Sequence, residues 1–177
     1  MIFDEATSNL DGCKYYSVLD CYSSFFQIKE EHKEKTGFSV PSRHYEFNRL
    51  PFGLSNSQSS FQRLMDIVLK NLVGTECFVF IDDVIIFSKS AQEHTLRFEK
   101  VLQRFDQANL QLHPGKCVFA QPQVNYLGFV LSEQEVAASL DKIKAVKNYP
   151  LPKNVEDVRA FLDLASISPP KRSRSQN

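Results

Sequence analysis

Cys77-Phe78-Val79-Phe80-Ile81-Asp82-Asp83-Val84-Ile85-Ile86-Phe87-Ser88 is the stretch on which the reading of this chain turns. Nearly everything in it is β-branched or aromatic, the composition of two buried strands. Two adjacent aspartates, Asp82 and Asp83, interrupt it in the middle. A buried carboxylate without a partner loses its charge or costs several kcal/mol. No Lys or Arg stands in the run before Lys89. Two carboxylates about 4 Å apart repel by about 4 kcal/mol at an effective dielectric of ~20. A hard cation such as Mg2+, which takes carboxylate oxygens, would turn that repulsion into a site. The other reading is a hairpin whose solvated tip happens to be Asp-Asp. Hairpin tips usually use Gly or Asn to supply a positive φ, and this run has neither. The run by itself leaves both readings open.

The flanks place the run in a larger pattern. Downstream, Ser90-Ala91-Gln92-Glu93 is a capping box that opens a helix with Phe98, Val101, Leu102 and Phe105 inward and Asn109 as its stop. Upstream, Ser55 or Ser57 can cap a helix to about Leu72. Phe61, Leu64, Met65, Val68 and Leu72 form its core stripe, and Gly74 stands at the left-handed C′ position. Before it, Gly37-Phe38-Ser39-Val40 and His44-Tyr45-Glu46-Phe47 make a hairpin around Pro41-Ser42, and Leu50 to Leu54 is a loop. Tyr15 to Asp20 reads as a strand, and Cys21 to Phe26 as a tight turn or short helix. Asp20 at a strand end would ordinarily just cap the next turn.

After Asn109, His113-Pro114-Gly115-Lys116 is a turn, and Cys117 to Phe119 and Val124 to Leu131 read as further strands. From Asp141 the chain turns to short helices. One spans Lys142 to Asn148, and a second, capped by Asn154 with Asp157 three on, runs to about Ala165. The sum is an α+β layout, an antiparallel sheet with two helices packed on one face.

At 177 residues the chain suits one sizeable domain with a small appended lobe. The formal net charge of zero means that any nucleic-acid contact must come from local patches. Cys13, Cys21, Cys77 and Cys117 form no CxxC pair, which points to reduced, intracellular thiols and away from a zinc ribbon or disulfide scaffold. The N-terminus is acidic and polar and no apolar run approaches membrane length, so neither a signal peptide, a spanning helix nor a membrane partner is expected.

In this order the segments resemble the reverse transcriptases of gypsy-class LTR retrotransposons and, more distantly, of retroviruses. The resemblance rests on Tyr16-Ser17-Val18-Leu19-Asp20, Phe25-Phe26-Gln27-Ile28, Lys35 to Val40, His44 to Phe47, Leu50-Pro51-Phe52-Gly53-Leu54 and Phe61 to Asp66. It continues through Phe78 to Ser88, Pro114-Gly115-Lys116-Cys117 and Tyr126-Leu127-Gly128, and covers about residues 10–165. It implies a polymerase palm at 15–136 with partial fingers, after an N-terminal remnant at 1–14. A helical start of the thumb or connection follows at 137–165, then a disordered basic tail at 166–177 carrying Lys171, Arg172 and Arg174.

The resemblance also assigns roles. Asp20 would lie beside Asp82 and Asp83, and the three would hold two Mg2+ ions (with Mn2+ as a substitute) for two-metal transfer of a dNTP to a primer 3′-hydroxyl. Cys21 matches a backbone-carbonyl ligand on the triphosphate side. Phe25 stands where the family has its gate against a ribose 2′-hydroxyl, the alternative being a core Phe after a strand. Phe52 and Gly53 match the loop packed on the incoming nucleotide. Lys116 matches a lysine near the triphosphate, with a plain surface turn lysine as the alternative. Phe80 would pack near primer or template, and Tyr126, Leu127 and Gly128 would form the primer grip. The implied partners are RNA or DNA template, primer and dNTPs. Ser24, Phe26, Asn48, Gln58 and Asp163 depart from the family pattern. The basic fingers strands and a complete thumb are missing from it, so a catalytically inactive remnant that folds as a palm stands as the second reading.

Overall fold

The computed structural model describes residues 9–29, 31–54 and 56–166. The tail expected to be disordered falls, beyond Ser166, outside those residues, as does most of the N-terminal remnant. The strands, in chain order, are β1 (Tyr15–Asp20), β2 (Phe38–Val40), β3 (Arg43–Tyr45), β4 (Cys77–Phe80), β5 (Asp83–Ser88), β6 (Val118–Gln121), β7 (Gln123–Tyr126), β8 (Phe129–Ser132) and β9 (Val136–Ala138). The helices of two turns or more are α1 (Ser57–Val68), α2 (Ala91–Gln107), α3 (Leu140–Lys147) and α4 (Val155–Ser166).

The central sheet has the order β4-β5-β1-β6, and all its pairings are antiparallel. Its alternating side chains feed two separate cores. Leu19, Val79, Val84 and Ile86 meet Phe61 and Met65 of α1 and Val101 and Phe105 of α2 on one face. Tyr16, Phe78, Ile85 and Phe87 meet Val124, Tyr126, Phe129 and Leu131 on the other. Both faces are therefore covered, which is why residues 77–87 carry no polar alternation outside the aspartates. Full burial of an aromatic or aliphatic side chain of this size is worth about 2–3 kcal/mol, so neither face could be left open to water cheaply.

The single sheet expected from the sequence is three sheets. The β2–β3 hairpin stands apart, and β7-β8-β9 forms the layer over the second face. Val124 to Leu131, read as one strand, is a hairpin. Tyr126 pairs with Phe129, and Leu127 (φ 49) and Gly128 (φ 79) make the two-residue turn between them. Positive φ at both central residues is the type I′ pattern, whose twist suits a hairpin. Leu127 hid this turn, because a leucine seldom takes positive φ.

α1 ends at Val68, a turn short of the expected Leu72, and Asn56 rather than Ser55 or Ser57 is its N-cap residue, with no side-chain bond. Ser57 Oγ donates instead to Pro51 O at 2.9 Å. Leu69 and Leu72 stay buried after the helix stops, so the apolar spacing outlasts the helical hydrogen bonds. Asn71 (φ 70) turns the chain, and Leu72 O accepts from the amides of Glu76 and Cys77. Gly74 (φ 92) serves that later turn and does not cap the helix.

Other local expectations hold. In the capping box Glu93 N–H donates to Ser90 Oγ at 3.2 Å, while Glu93 Oε2 accepts from Lys89 N–H at 2.9 Å. Asn109 (φ 53) ends α2 in a Schellman arrangement, with Leu110 N–H on Phe105 O and Asn109 N–H on Asp106 O. Asn154 Oδ1 accepts from Asp157 N–H at 2.8 Å and opens α4. Among the described residues no helix is long and apolar enough to cross a membrane.

Candidate active site

The long run closes on itself at its aspartates. Phe80 pairs with Asp83 across β4 and β5, so Ile81 and Asp82 form a two-residue tip. Ile81 supplies the positive φ (57°) that the sequence offered no Gly or Asn to supply, and Asp82 keeps a negative one. Positive φ at the first central residue alone is the pattern of a type II′ turn. For a β-branched residue that conformation is strained by about 1–2 kcal/mol. Gln62, on α1, holds it in place. Its Oε1 accepts from Ile81 N–H at 2.7 Å, and its Nε2 donates to Asp66 Oδ1 at 2.9 Å.

On the other side of β5, Asp20 is the direct cross-strand partner of Asp83. Directly opposed residues of an antiparallel pair point to the same face. Phe80, Asp83 and Asp20 thus form one row across three strands, on the face that carries Phe78, Ile85 and Tyr16 into the second core. Asp82 flanks the row from the tip. Its carbonyl accepts from Cys21 N–H at 3.2 Å, and its Oδ2 accepts from Ser24 Oγ at 3.5 Å. The Lys116 ammonium lies 3.5 Å from Asp20 Oδ2, on a turn anchored by His113 N–H donating to Asp20 O at 2.8 Å.

The electrostatics follow from this crowding. Burial first, and then the charges of Asp82 and Asp20, push the Asp83 carboxyl above its ordinary value, with Lys116 opposing. Burial and the same three aspartates, with Cys117, push the Cys21 thiol up to about 12, so it stays protonated at neutral pH. Tyr126 Oη donates to Asp83 O at 3.3 Å, and burial holds its phenol protonated.

The remaining expected residues divide. Phe25 is only 9% exposed and belongs to the helix-side core, with its ring 4.9 Å from that of Phe52, which is 57% exposed. Phe25 therefore forms the buried base, and Phe52 the open wall, of one aromatic corner on the Cys21 side of the carboxylates. Gly53 (φ 89) makes the turn beside it, in open space. Phe80 is 52% exposed in the aspartate row. Leu127 and Gly128 lie farther along the β7–β8 hairpin. The contacts of Gly128 run to the start of α3, with its carbonyl accepting from Ser139 N–H and the Lys142 side chain filling the space a Cβ would take. Gln62, Ser24 and His113 went unread in the sequence because each acts through a contact many residues away.

Among the described residues no group of three or more His, Cys, Asp or Glu side chains is disposed to hold a metal ion. The donor chemistry nevertheless fits a hard divalent cation. Three carboxylates stand at one sheet end with one exposed lysine against them, and Asp83 already carries the cost of its neighbours' charge. Asp20 and Asp83 are direct cross-strand partners, so their side chains leave the sheet on the same face.

Comparison with known proteins places the chain in a family. The family described as reverse transcriptase (RNA-dependent DNA polymerase) matches residues 2–131. The chain is 43% identical over 161 residues to the retrovirus-related Pol polyprotein from transposon gypsy of Drosophila melanogaster, covering 90% of this chain and 16% of that protein. To the Pol polyprotein from transposon opus of the same organism it is 38% identical over 161 residues, covering 90% of this chain and 16% of the relative. It thus spans about one-sixth of the length of these relatives. Among solved structures, the foamy viral protease-reverse transcriptase in complex with RNA/DNA hybrid superposes with a TM-score of 0.71 at 23% identity, over 93% of this chain and 22% of that one. The double-stranded DNA complex of the same enzyme's dRH form gives 0.71 at 24%, over 86% and 27%. With the family model spanning most of the chain and a relative 43% identical over 90% of it, the chain belongs to the reverse transcriptase family, on the side of the gypsy-class retrotransposons.

Proposed function

We propose that the carboxylate row is the nucleotidyl-transfer site of an RNA-directed DNA polymerase, adding dNTPs to a primer 3′-hydroxyl on an RNA or DNA template inside a cell. The observation that carries this reading is the register that sets Asp20 opposite Asp83, with Asp82 at the adjoining tip. A carboxylate trio is otherwise an expensive thing to gather in a half-buried place.

In this reading residues 15–136 form the palm with part of the fingers, and 137–165 begin the thumb. Asp20, Asp82 and Asp83 would hold Mg2+ or Mn2+, which when bound supplies charge neutralisation and activation of oxygen nucleophiles. The chain's own residues do the rest. The protonated Cys21 thiol keeps a further negative charge away from the carboxylates, and the Cys21 backbone is fixed by the Asp82 carbonyl. Lys116, now at Asp20, can turn its exposed ammonium to a triphosphate oxygen. Phe25 and Phe52 form the aromatic corner against which a nucleotide sugar and base would rest. Phe80 offers an exposed ring beside the aspartates for the primer or template. The Tyr126-Leu127-Gly128 turn would approach the primer phosphate with a backbone that lacks a side chain at Gly128.

The test is extension of a primed template in Mg2+ or Mn2+ by this chain and by Asp82→Asn. Extension by the former alone is expected. Equal signal from both would remove the catalytic role of the site. A thermal shift on adding Mg2+, lost in Asp82→Asn, gives a second reading that does not depend on turnover.

A further inference from the structure

Gln27 lies in the segment Phe25-Phe26-Gln27-Ile28, where nothing in the sequence gives it work, yet both ends of its carboxamide are engaged. Nε2 donates to Tyr22 O at 2.6 Å and to Gln111 O at 3.0 Å, and Oε1 accepts from Gln111 N–H at 2.6 Å. The side chain therefore pairs with both backbone groups of Gln111, as a neighbouring strand would, while also gripping the Cys21–Tyr22 turn. Around it the two segments are zipped together. Tyr22 N–H donates to Gln111 O, Cys21 bridges Leu112, and His113 N–H donates to Asp20 O. The backbone of Gln27 reaches a third segment. Its carbonyl accepts from Arg49 Nη1 at 3.2 Å, and Leu50 N–H donates to Ile28 O just before Pro51-Phe52-Gly53.

Three pieces of chain thus meet at one half-buried amide. One ends in Phe25, one leads to Lys116, and one leads to Phe52 and Gly53. These are the residues assigned to the incoming nucleotide, whereas the β7–β8 hairpin is assigned to the primer. We propose that Gln27 is a positioning residue for nucleotide binding, a clamp that fixes the Phe25–Phe52 corner and the Lys116 turn relative to Asp20. The inference rests on the polymerase reading of the site. It also gives the Gln side chain a reason that size and polarity alone do not supply. A carboxylate there would place an anion against two carbonyl oxygens, and an apolar side chain of equal length would take the partner from Tyr22 O and Gln111 N–H and leave Gln111 O with the Tyr22 amide alone.

The experiment compares Gln27→Met and Gln27→Glu with the unaltered chain in two ways. Amide hydrogen exchange is followed over residues 21–28, 110–117 and 77–88. Primer extension is measured at varied dNTP and at varied primer-template. Loss of the clamp is expected to speed exchange in the first two segments together, by about tenfold from the worth of one or two hydrogen bonds, and to leave 77–88 unchanged. KM for dNTP is expected to rise about tenfold while primer-template affinity stays the same. Glu is expected to be worse than Met, because donation to the two carbonyls is what is lost. Faster exchange in residues 21–28 alone, Glu behaving like the unaltered chain, or an unchanged dNTP KM in an active protein would overturn the proposal. If the unaltered chain extends primers no better than Asp82→Asn, the polymerase reading fails and takes the nucleotide role with it. Exchange would then report on the clamp alone.

Discussion

Gln62→Leu should loosen the tip that carries Asp82 without touching either aspartate. The substitution keeps the approximate side-chain length and removes the acceptor that Ile81 N–H has among the described residues, Gln62 Oε1 at 2.7 Å. A donor left without a partner in a buried position costs about 1–3 kcal/mol. Ile81 is half-buried, so some water can reach its amide and the lower half of that range applies, about 1–2 kcal/mol. For a chain of this size each kcal/mol lowers the melting temperature by about 2–4 °C, which predicts a fall of about 2–8 °C.

The strain at Ile81 sharpens the expectation. Its φ of 57° is held by that hydrogen bond and by pairing on both sides, so the freed turn can relax away from it. Gln62→Glu is the control. It keeps an acceptor for Ile81 N–H and exchanges the bond to Asp66 for a like-charge contact four residues along the helix, worth about 0.2–0.5 kcal/mol. Thermal melting and hydrogen exchange at the Ile81 amide measure both variants. Equal losses for Leu and Glu, or an Ile81 amide that exchanges no faster in Gln62→Leu, would refute the reasoning.

Three further outcomes follow from the structure. His94 is 4% exposed and sits in a one-directional chain: Ala120 N–H to Ser17 Oγ, Ser17 to Nε2, Nδ1–H to Ser88 Oγ, and Ser88 to Ser90 O, the ring tautomer being assigned from these partners. Burial, then Arg97, lower its pKa below the ordinary 6.5, with Glu93 opposing. The unfolded chain therefore takes the proton first, and stability is complete above pH 6.5 and falls as pH drops through the folded value. Urea midpoints at neutral and mildly acidic pH should diverge less in His94→Gln, and identical pH dependence in both proteins would contradict the assignment. Phe25→Ala should relax exclusion of rNTPs but, at 9% exposure, also cost about 3–5 kcal/mol, so Phe25→Leu is the cleaner probe. Unchanged selectivity in an active Phe25→Leu protein would place the gate elsewhere. Thiol labelling at mildly alkaline pH should modify Cys117 before the buried Cys21 and Cys77, whose thiols burial pushes up to about 12. Native-state labelling of Cys21 at the rate of Cys117 would show that the Asp20 strand end opens freely.

Much of this molecule was written locally. The two halves of residues 77–88, the capping box at Ser90, the Asn109 stop and the Asn154 cap each depend on side chains within a few positions of one another, and each formed as read. Where a local pattern misled, a neighbour from elsewhere had decided the backbone. Leu72 kept helical spacing after the helix had ended, because burial needs only the face and not the hydrogen bonds. Leu127 turned a long apolar run into a hairpin by taking a φ that the β7–β8 pairing and the core beneath it enforce. The aspartates themselves were legible as an anomaly, two charges in an apolar run, and the family resemblance brought Asp20 to them. Only the antiparallel register of β1 on β5 puts Asp20 and Asp83 side by side, across sixty-odd residues of intervening chain. Gln62 and Gln27 were silent in the sequence for the same reason. A carboxamide announces no chemistry until the fold shows which backbone groups it satisfies.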